Sequence, residues 1–430
     1  MNPDNSPWGP VKRILFRFLL VYVILYTFPF PLNVIPVYGP ILEQPYTDLW
    51  DKAVPWVGER VFGVEVLHRP LGSGDTTYNY VQIFCYLILT LAAVAIWTVL
   101  DHKRGRKRAD YARLYEGLRV YVRFVLATAM IGYGAAKLIP AQMIPPWPDK
   151  LLQPIGDASP MGLVWTFMGA SVSYMVFTGA SEMLGGLLLV FRRTVLLGAL
   201  VCIGVMSNVV MINFSYDVPV KLYSAHLLLM AVFLAAPDLQ RLANLLVLNR
   251  RVPPAESRPL FANPKHRRAA VAVGTAFVLF ITCTNLYESY QGFMQYGALA
   301  PKPRLYGIWE VEELAVDGVV QPLLATDETL WRRLIFEWPG MIAIQHPHEV
   351  DARYYQLKTD PGPHMFALAK FDDPKWQAGL SYKLVGTDVL TLESQFEGKH
   401  IRGRYRRMDD SRFRLISRGF HWINEWPYNR

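Results

Sequence analysis

The chain predicts a membrane-embedded, all-α bundle of about seven transmembrane helices followed by an antiparallel β-barrel or sandwich. Three observations predict it. The 430 residues are 52% hydrophobic and only 18% charged, a balance natural for a membrane protein with a soluble portion. Seven apolar runs, each near the ~20 residues a bilayer core requires, are separated by basic loops. From Pro303 onward these runs give way to short, alternating segments bounded by turn residues, the pattern of half-buried strands.

The first run, Phe18 to Pro31, follows Lys12, Arg13 and Arg17. A charged start also fits a signal peptide, but no small-residue cleavage site follows. Pro29, Pro31 and Asn33 end the run instead, and we read an uncleaved first helix. Residues 36–79 form a loop in which Glu43, Asp48, Asp51, Glu59, Glu65 and Asp75 outnumber Lys52, Arg60 and Arg69. The segment 48–63 is partly amphipathic, a pattern that suits the membrane surface. Residues 71–75, LGSGD, form a turn. They are not a phosphate loop, because no Lys-Ser/Thr follows the glycines.

Further spans are expected at 80–100, 118–138, 163–191, 194–213, 220–236 and 269–288. The densest basic run, 101–119, lies between the second and third, and a Pro-rich loop follows the third. The net charge of +9 admits a nucleic-acid reading, but the bases cluster beside apolar segments. We read them as topology signals of cytoplasmic loops, with membrane lipids as partners and no nucleic acid. The 101–119 loop, Arg192/Arg193 and 237–268 then share the cytoplasmic side with the N-terminus. Everything after about residue 290 falls outside, in the periplasm if the membrane is a bacterial inner membrane.

Four regions follow: an N-terminal two-helix region (1–117), a four-helix unit (118–237), a basic loop with the seventh helix (238–292), and an outer β domain (303–430). The three cysteines, Cys85, Cys202 and Cys283, lie singly in apolar runs. They support neither disulfides nor a CxxC or zinc motif.

Charged residues at membrane depth are costly and usually face a bundle interior or a cavity. Arg123 and Lys137 sit near the two ends of the third span, roughly 21 Å apart along a helix. Counted from the cytoplasmic ends of their spans, Arg123 and Glu182 differ in depth by about 6 Å, which predicts an ion pair. A proton- or quinone-linked carboxylate and a structural pair are both open readings. Glu182 lies in GASEMLGG, where Gly179 and Gly186 share its face and favour close helix packing. A second polar group gathers toward the outer face: Lys137, Asn208, Asn213, Lys221 and His226, with Asp217 in the turn between spans five and six. His226 and Asn208 are expected at one level. A ligand cavity and a merely satisfied His226 are the alternatives, and no metal site is expected from a single His.

In the β domain, Gly307-Ile308-Trp309 opens the first strand and resembles the G-x-W start of lipocalin-like barrels, in which the Trp closes one end. An apolar ligand inside and a filled barrel are both open. His346 and His348 are loop residues, a weak metal signal. The aromatic tail 418–430, RGFHWINEWPYNR, suits either docking at the membrane interface or a plug on the barrel end.

Arg123, Gly134 with Lys137-Leu138, the Pro-rich loop and Gly179-x-x-Glu182-x-x-Gly185-Gly186 running into Leu187–Leu189 and Arg192 resemble the DoxX family of four-helix membrane proteins. The match spans about 120 residues, and the closing tail is similar to that of longer members with an extra outer domain. The resemblance implies a membrane component of a quinone-linked redox system, with Arg123, Lys137 and Glu182 as the positions of interest, quinone as a bound ligand and a redox partner protein. No GxGxxG, CxxC or haem signature is present, so electrons would come from that partner or from the substrate. The alternative is a non-enzymatic module binding a lipid or hydrophobic solute for transport or envelope assembly.

Overall fold

The computed structural model describes residues 8–35, 38–67, 72–103, 111–252, 254, 260–261, 263–324, 330–347, 349, 351–359, 364–373 and 375–429. The readings placed on Arg69, Leu71, the centre of the basic run (104–110), part of the 237–268 loop (253, 255–259 and 262) and His348 lie outside these residues.

Among the described residues seven helices are long and apolar enough to cross a membrane: Pro10–Val34, Thr77–Lys103, Ala112–Leu138, Val172–Val190, Val195–Ser215, Lys221–Leu246 and Pro264–Tyr296. Helix α1 is Pro10–Thr27, α2 Tyr38–Val57, α3 Thr77–Lys103 and α4 Ala112–Leu138. The short α5 (Pro148–Leu152) and α6 (Pro160–Ala170) precede α7 (Val172–Val190), α8 (Val195–Ser215), α9 (Lys221–Ala235), α10 (Leu239–Leu246) and α11 (Pro264–Tyr296). The chain divides into two compact units, residues 1–139 with 176–289, and residues 140–175 with 290–430.

In the helical unit α4 is the centre. Leu118, Val122, Leu126, Ala127, Met130, Ile131 and Ala135 recur at helical spacing on one buried face. The first five pack with Leu189 of α7, with Ala199, Cys202 and Met206 of α8, and with Leu227, Met230, Ala231 and Leu234 of α9, while Ile131 and Ala135 pack with Met183 of α7 and with Val278 and Ile281 of α11. Outward-facing positions such as Leu89, Leu91, Leu197 and Leu229 are exposed, the arrangement of helices solvated by lipid. The segment 48–63 runs through α2 into a π turn at Gly58–Phe62. Its apolar side, Trp50 and Val54, packs on Tyr78, Val81 and Tyr86 of α3.

Two sequence readings are corrected here. Arg17 is not a charge flanking the first span but lies inside α1, 4% exposed. Its guanidinium donates to Thr98 Oγ1 (2.6 Å), Tyr111 Oη (2.6 and 3.1 Å) and Asp101 Oδ2 (2.5 Å). The expected fourth span, 163–191, is divided at Ser171. Ser159 Oγ caps α6 by accepting the Gly162 N–H at 3.0 Å, so this turn of chain begins a helix of its own. The membrane-length helix starts only at Val172.

The second unit is built on a closed barrel. Strands β1 (Gly307–Val316), β2 (Val319–Val320), β3 (Arg333–Phe336), β4 (Met341–Gln345), β5 (Arg353–Thr359), β6 (Met365–Ala369), β7 (Gln377–Val385), β8 (Val389–Phe396) and β9 (Lys399–Arg407) form an antiparallel meander. β1 pairs with both β3 and β9, which closes eight strands into a ring, while the two-residue β2 hangs on the end of β1. Alternation decides the faces: Leu390, Leu392, Ser394 and Phe396 of β8, and Ile401, Gly403 and Tyr405 of β9, point inward.

The interior is filled. Trp309, Trp331, Phe336 and Tyr405 are each at most 2% exposed, and Phe396 touches the rings of Trp331, Tyr355 and Trp376 at centroid distances of 4.8, 6.0 and 5.2 Å. Trp309 donates its indole N–H to Leu305 O at 2.8 Å. Gly307 takes a positive φ of 124° beside Arg407, where a Cβ would be strained. On the outer face Ile308, Ile335, Ala343, Ala352 and Met408 form a second cluster covered by Leu152 of α5 and by Phe413. The aromatic tail is no plug. Phe420, Trp422, Ile423 and Trp426 are all more than three-quarters exposed, and Arg418 stacks on Tyr428 instead.

Candidate functional site

Helices α4 and α7 run antiparallel and touch through backbone. A Cβ on Gly134 would stand 2.7 Å from Met183 N and 2.8 Å from Gly179 O, and one on Gly179 would stand 2.5 Å from Leu138 N. Gly186 makes the next contact along the seam, against Ala127, Met130 and Ile131. This approach, which only small residues permit, places the side chains of Lys137 and Glu182 face to face. Lys137 Nζ donates to Glu182 Oε1 at 2.9 Å and Oε2 at 2.8 Å. Glu182 is 3% and Lys137 7% exposed.

The expected Arg123–Glu182 pair is therefore corrected. Gly134 meets Gly179 and Met183, the residues on either side of Glu182 along the seam, so Glu182 stands opposite the far end of α4, near mid-helix in α7. Arg123 instead closes the other end of α7. Its Nε donates to Leu189 O at 3.0 Å and its Nη2 to Val190 O at 2.7 Å, carbonyls at the C-terminus of the helix that lack intrahelical partners.

The ammonium of Lys137 has three N–H groups, two of them on the carboxylate. It lies 5.4 Å from the ring centroid of Tyr133, within cation–π range. Tyr133 is 6.1 Å from Tyr223 of α9, centroid to centroid, and both rings are partly exposed, 37% each. One turn on from Tyr223, His226 stacks on Tyr26 at 3.9 Å and bonds Tyr22 Oη through Nε2 at 2.8 Å, with Nδ1 2.7 Å from Leu222 O. Both ring nitrogens of His226 are thus engaged. The four tyrosines were not among the sequence candidates. The i, i+4 spacing of Phe18, Tyr22 and Tyr26 along the first span was the available signal.

The remaining candidates separate. Asn213 Nδ2 donates to Ser224 Oγ at 3.0 Å, a buried bond that joins α8 to α9. Lys221 reaches Asp217 at 2.7 Å, and its backbone N–H and that of Leu222 donate to Asp75 at 2.7 and 2.9 Å. Asp75, from the turn at 71–75, thereby caps α9. Asn208 is exposed and does not meet His226. Gly307 and Trp309 stand in the barrel, and His346 Nδ1 lies 3.1 Å from Leu330 O. Among the described residues no group of three or more His, Cys, Asp or Glu stands close enough to hold a metal ion.

In the barrel unit, Glu337 is buried at the end of β3. It accepts the backbone N–H of Asp149 and the hydroxyl of Tyr354 (3.4 Å). Burial pushes its carboxyl up to about 7, against the Asp149 N–H, which holds it down.

Over 118 residues the chain is 33% identical to the uncharacterized protein YwoB of Bacillus subtilis (strain 168), covering 27% of this chain and 73% of that protein. The chain belongs to the family of YwoB. No family model matches it, and no solved structure does.

Proposed function

We propose that the protein is a DoxX-like integral component of a bacterial inner membrane that serves a quinone-linked redox system, with the quinone headgroup held beside Lys137 and Glu182. The observation that carries this reading is the ammonium–carboxylate pair buried inside a helical unit and flanked by the partly exposed rings of Tyr133 and Tyr223. Ionisable residues at such depth are expensive and serve substrate or proton pathways. A quinone carbonyl accepts the third N–H of Lys137, and its ring packs on tyrosine faces. Reduction to the quinol takes two electrons and two protons. A redox partner protein or the substrate itself delivers the electrons. One proton passes from the Lys137 ammonium to the carbonyl oxygen it holds, with Glu182 relaying its replacement from water, and water supplies the second proton at the opposite carbonyl. On this reading the positive-inside rule favours a cytoplasmic N-terminus, with the barrel on the other side of the membrane.

The alternative, a module binding a lipid or hydrophobic solute for transport or envelope assembly, draws on the barrel. Its interior is occupied by its own aromatic side chains, and so the membrane pair supports the redox reading more. The test is mass spectrometry of molecules co-purifying with the protein in mild detergent, comparing wild type with Glu182→Gln and with the apolar pair K137M/E182L. Quinone present in wild type and lost in both variants is the expected result. Quinone retained by the folded double variant overturns the proposal.

A further inference from the structure

At the end of the helical unit away from Lys137, a cavity of about 180 Å³ opens between α4, the C-terminal end of α7 and the N-terminal part of α11. Among the described residues Arg123, Arg192 and Arg267 line it, against a single acid, Glu116. Glu116 is shared, with Arg119 at 3.4 Å and Arg192 at 3.9 Å, so among the described lining residues positive charge is in excess. Arg123 keeps Nη1 without a hydrogen bond among the described residues, its other donors being fixed on Leu189 and Val190. The guanidinium is thus held by the helix end in one orientation. The remaining wall is apolar: Val120, Phe124, Val190, Phe191, Phe261 and Val271 are its main contributors. Close approach of α11 at Gly274, where a Cβ would fall 2.8 Å from Phe124, sets the depth of that wall.

A guanidinium cluster over an apolar wall, at the end of a set of membrane-length helices, matches one chemistry: a phosphate with acyl chains attached. Arginine recognises phosphate oxygens through paired N–H donors, and basic pockets between transmembrane helices bind anionic headgroups. A soluble anion would satisfy the arginines and leave the apolar wall unused. We infer that this cavity is a binding site for an anionic phospholipid, with its phosphate at Arg123, Arg192 and Arg267 and an acyl chain along Phe124, Val190 and Val271. This inference does not rest on the quinone reading, which concerns the other end of α4.

The test is native mass spectrometry of the full chain in mild detergent, titrated separately with phosphatidylglycerol, phosphatidylcholine and inorganic phosphate. The variants are R192Q/R267Q and, as a control for unspecific attraction, R250Q/R251Q. Neither pair contacts Lys137 or Glu182, and Arg123 is left in place because it also holds the end of α7. The wild type is expected to retain phosphatidylglycerol in preference to phosphatidylcholine. R192Q/R267Q is expected to bind it about thirtyfold more weakly, at about 1 kcal/mol per arginine, and R250Q/R251Q to bind as the wild type does. Equal binding of the two lipids, or equal loss in both variants, overturns the site. Inorganic phosphate raising the melting temperature as much as the lipid overturns the assignment to a phospholipid and makes it a soluble-anion site.

Discussion

Lys137 and Glu182 meet through both carboxylate oxygens, at 2.9 and 2.8 Å, across a seam where Gly134 and Gly179 bring two helix backbones together. Each charge is therefore neutralised by the other, and neither has water to fall back on. Glu182→Gln is expected to cost about 3–5 kcal/mol, because it leaves the ammonium buried and unpaired. K137M/E182L, which removes both charges, is expected to recover most of that loss. Thermal unfolding in detergent distinguishes the two. A double variant as unstable as the single one would mean that the pair does more than neutralise itself.

The glycines of the seam predict a contrast. Gly179→Ala puts a methyl group 2.5 Å from Leu138 N and 2.7 Å from Gly134 O, backbone atoms that move only with the helix. It is expected to lower stability by several kcal/mol and to part Lys137 from Glu182. Gly204→Ala, inside α8, meets nothing within 4 Å, and is expected to stabilise by up to about 1 kcal/mol through helix propensity. Melting temperatures of the two variants should move in opposite directions.

Glu337 makes the barrel unit pH-sensitive. Its carboxyl is pushed from 4.5 up to about 7 on folding, so the folded state holds the proton more tightly than the unfolded chain. Stability is greatest below about 4.5, falls as the pH rises toward 7, and is level above. The fall amounts to about 3 kcal/mol. Glu337→Gln is expected to flatten this dependence. Tryptophan emission during heating reports it, since Trp338 and Trp147 pack edge to face at 5.7 Å beside the carboxyl.

The hydroxyl of Tyr405 lies inside the barrel with no hydrogen-bond partner among the described residues. An unmet buried hydroxyl costs free energy. Tyr405→Phe, which keeps the ring and removes the hydroxyl, is expected to stabilise the barrel by about 1 kcal/mol in urea unfolding. Trp309→Phe is expected to do the reverse, losing the bond to Leu305 O and leaving a cavity at the end of the barrel.

The existence of the helices and of the barrel was legible because each depends on a local pattern. Apolar runs near 20 residues mark the spans, and the alternation of Val389–Phe396 and Lys399–Arg407 marks the strands. The partner of Glu182 was not legible in the same way. It depends on which turns of α4 and α7 meet, and that is set by the backbone contact of Gly134 with Gly179, which no count along either span reveals. Counting depth from the cytoplasmic ends brought Glu182 within about 6 Å of Arg123, whereas Arg123 reaches Leu189 and Val190 and Glu182 stands about two turns farther along α7, at Lys137. Arg17 shows a related limit: a cation at the edge of an apolar run reads as a topology signal until Asp101 and Tyr111, far along the chain, come beside it. The tyrosines near Lys137 escaped notice because aromatic residues are ordinary in a membrane span. Only their assembly from α1, α4 and α9 sets them apart.

The segment 140–175 leaves the helical unit just after Lys137 and returns to it just before Glu182, and in between it belongs with the barrel. The barrel is therefore not a detachable tail. A chain ending near residue 295 would keep all seven candidate spans and yet strip Leu152 and Asp149 of the surface that receives them. The stub left behind would be the connection between the two helices that carry the buried pair. Experiments that delete the barrel will perturb that connection, and single-residue changes inside the barrel are the cleaner way to ask what it does.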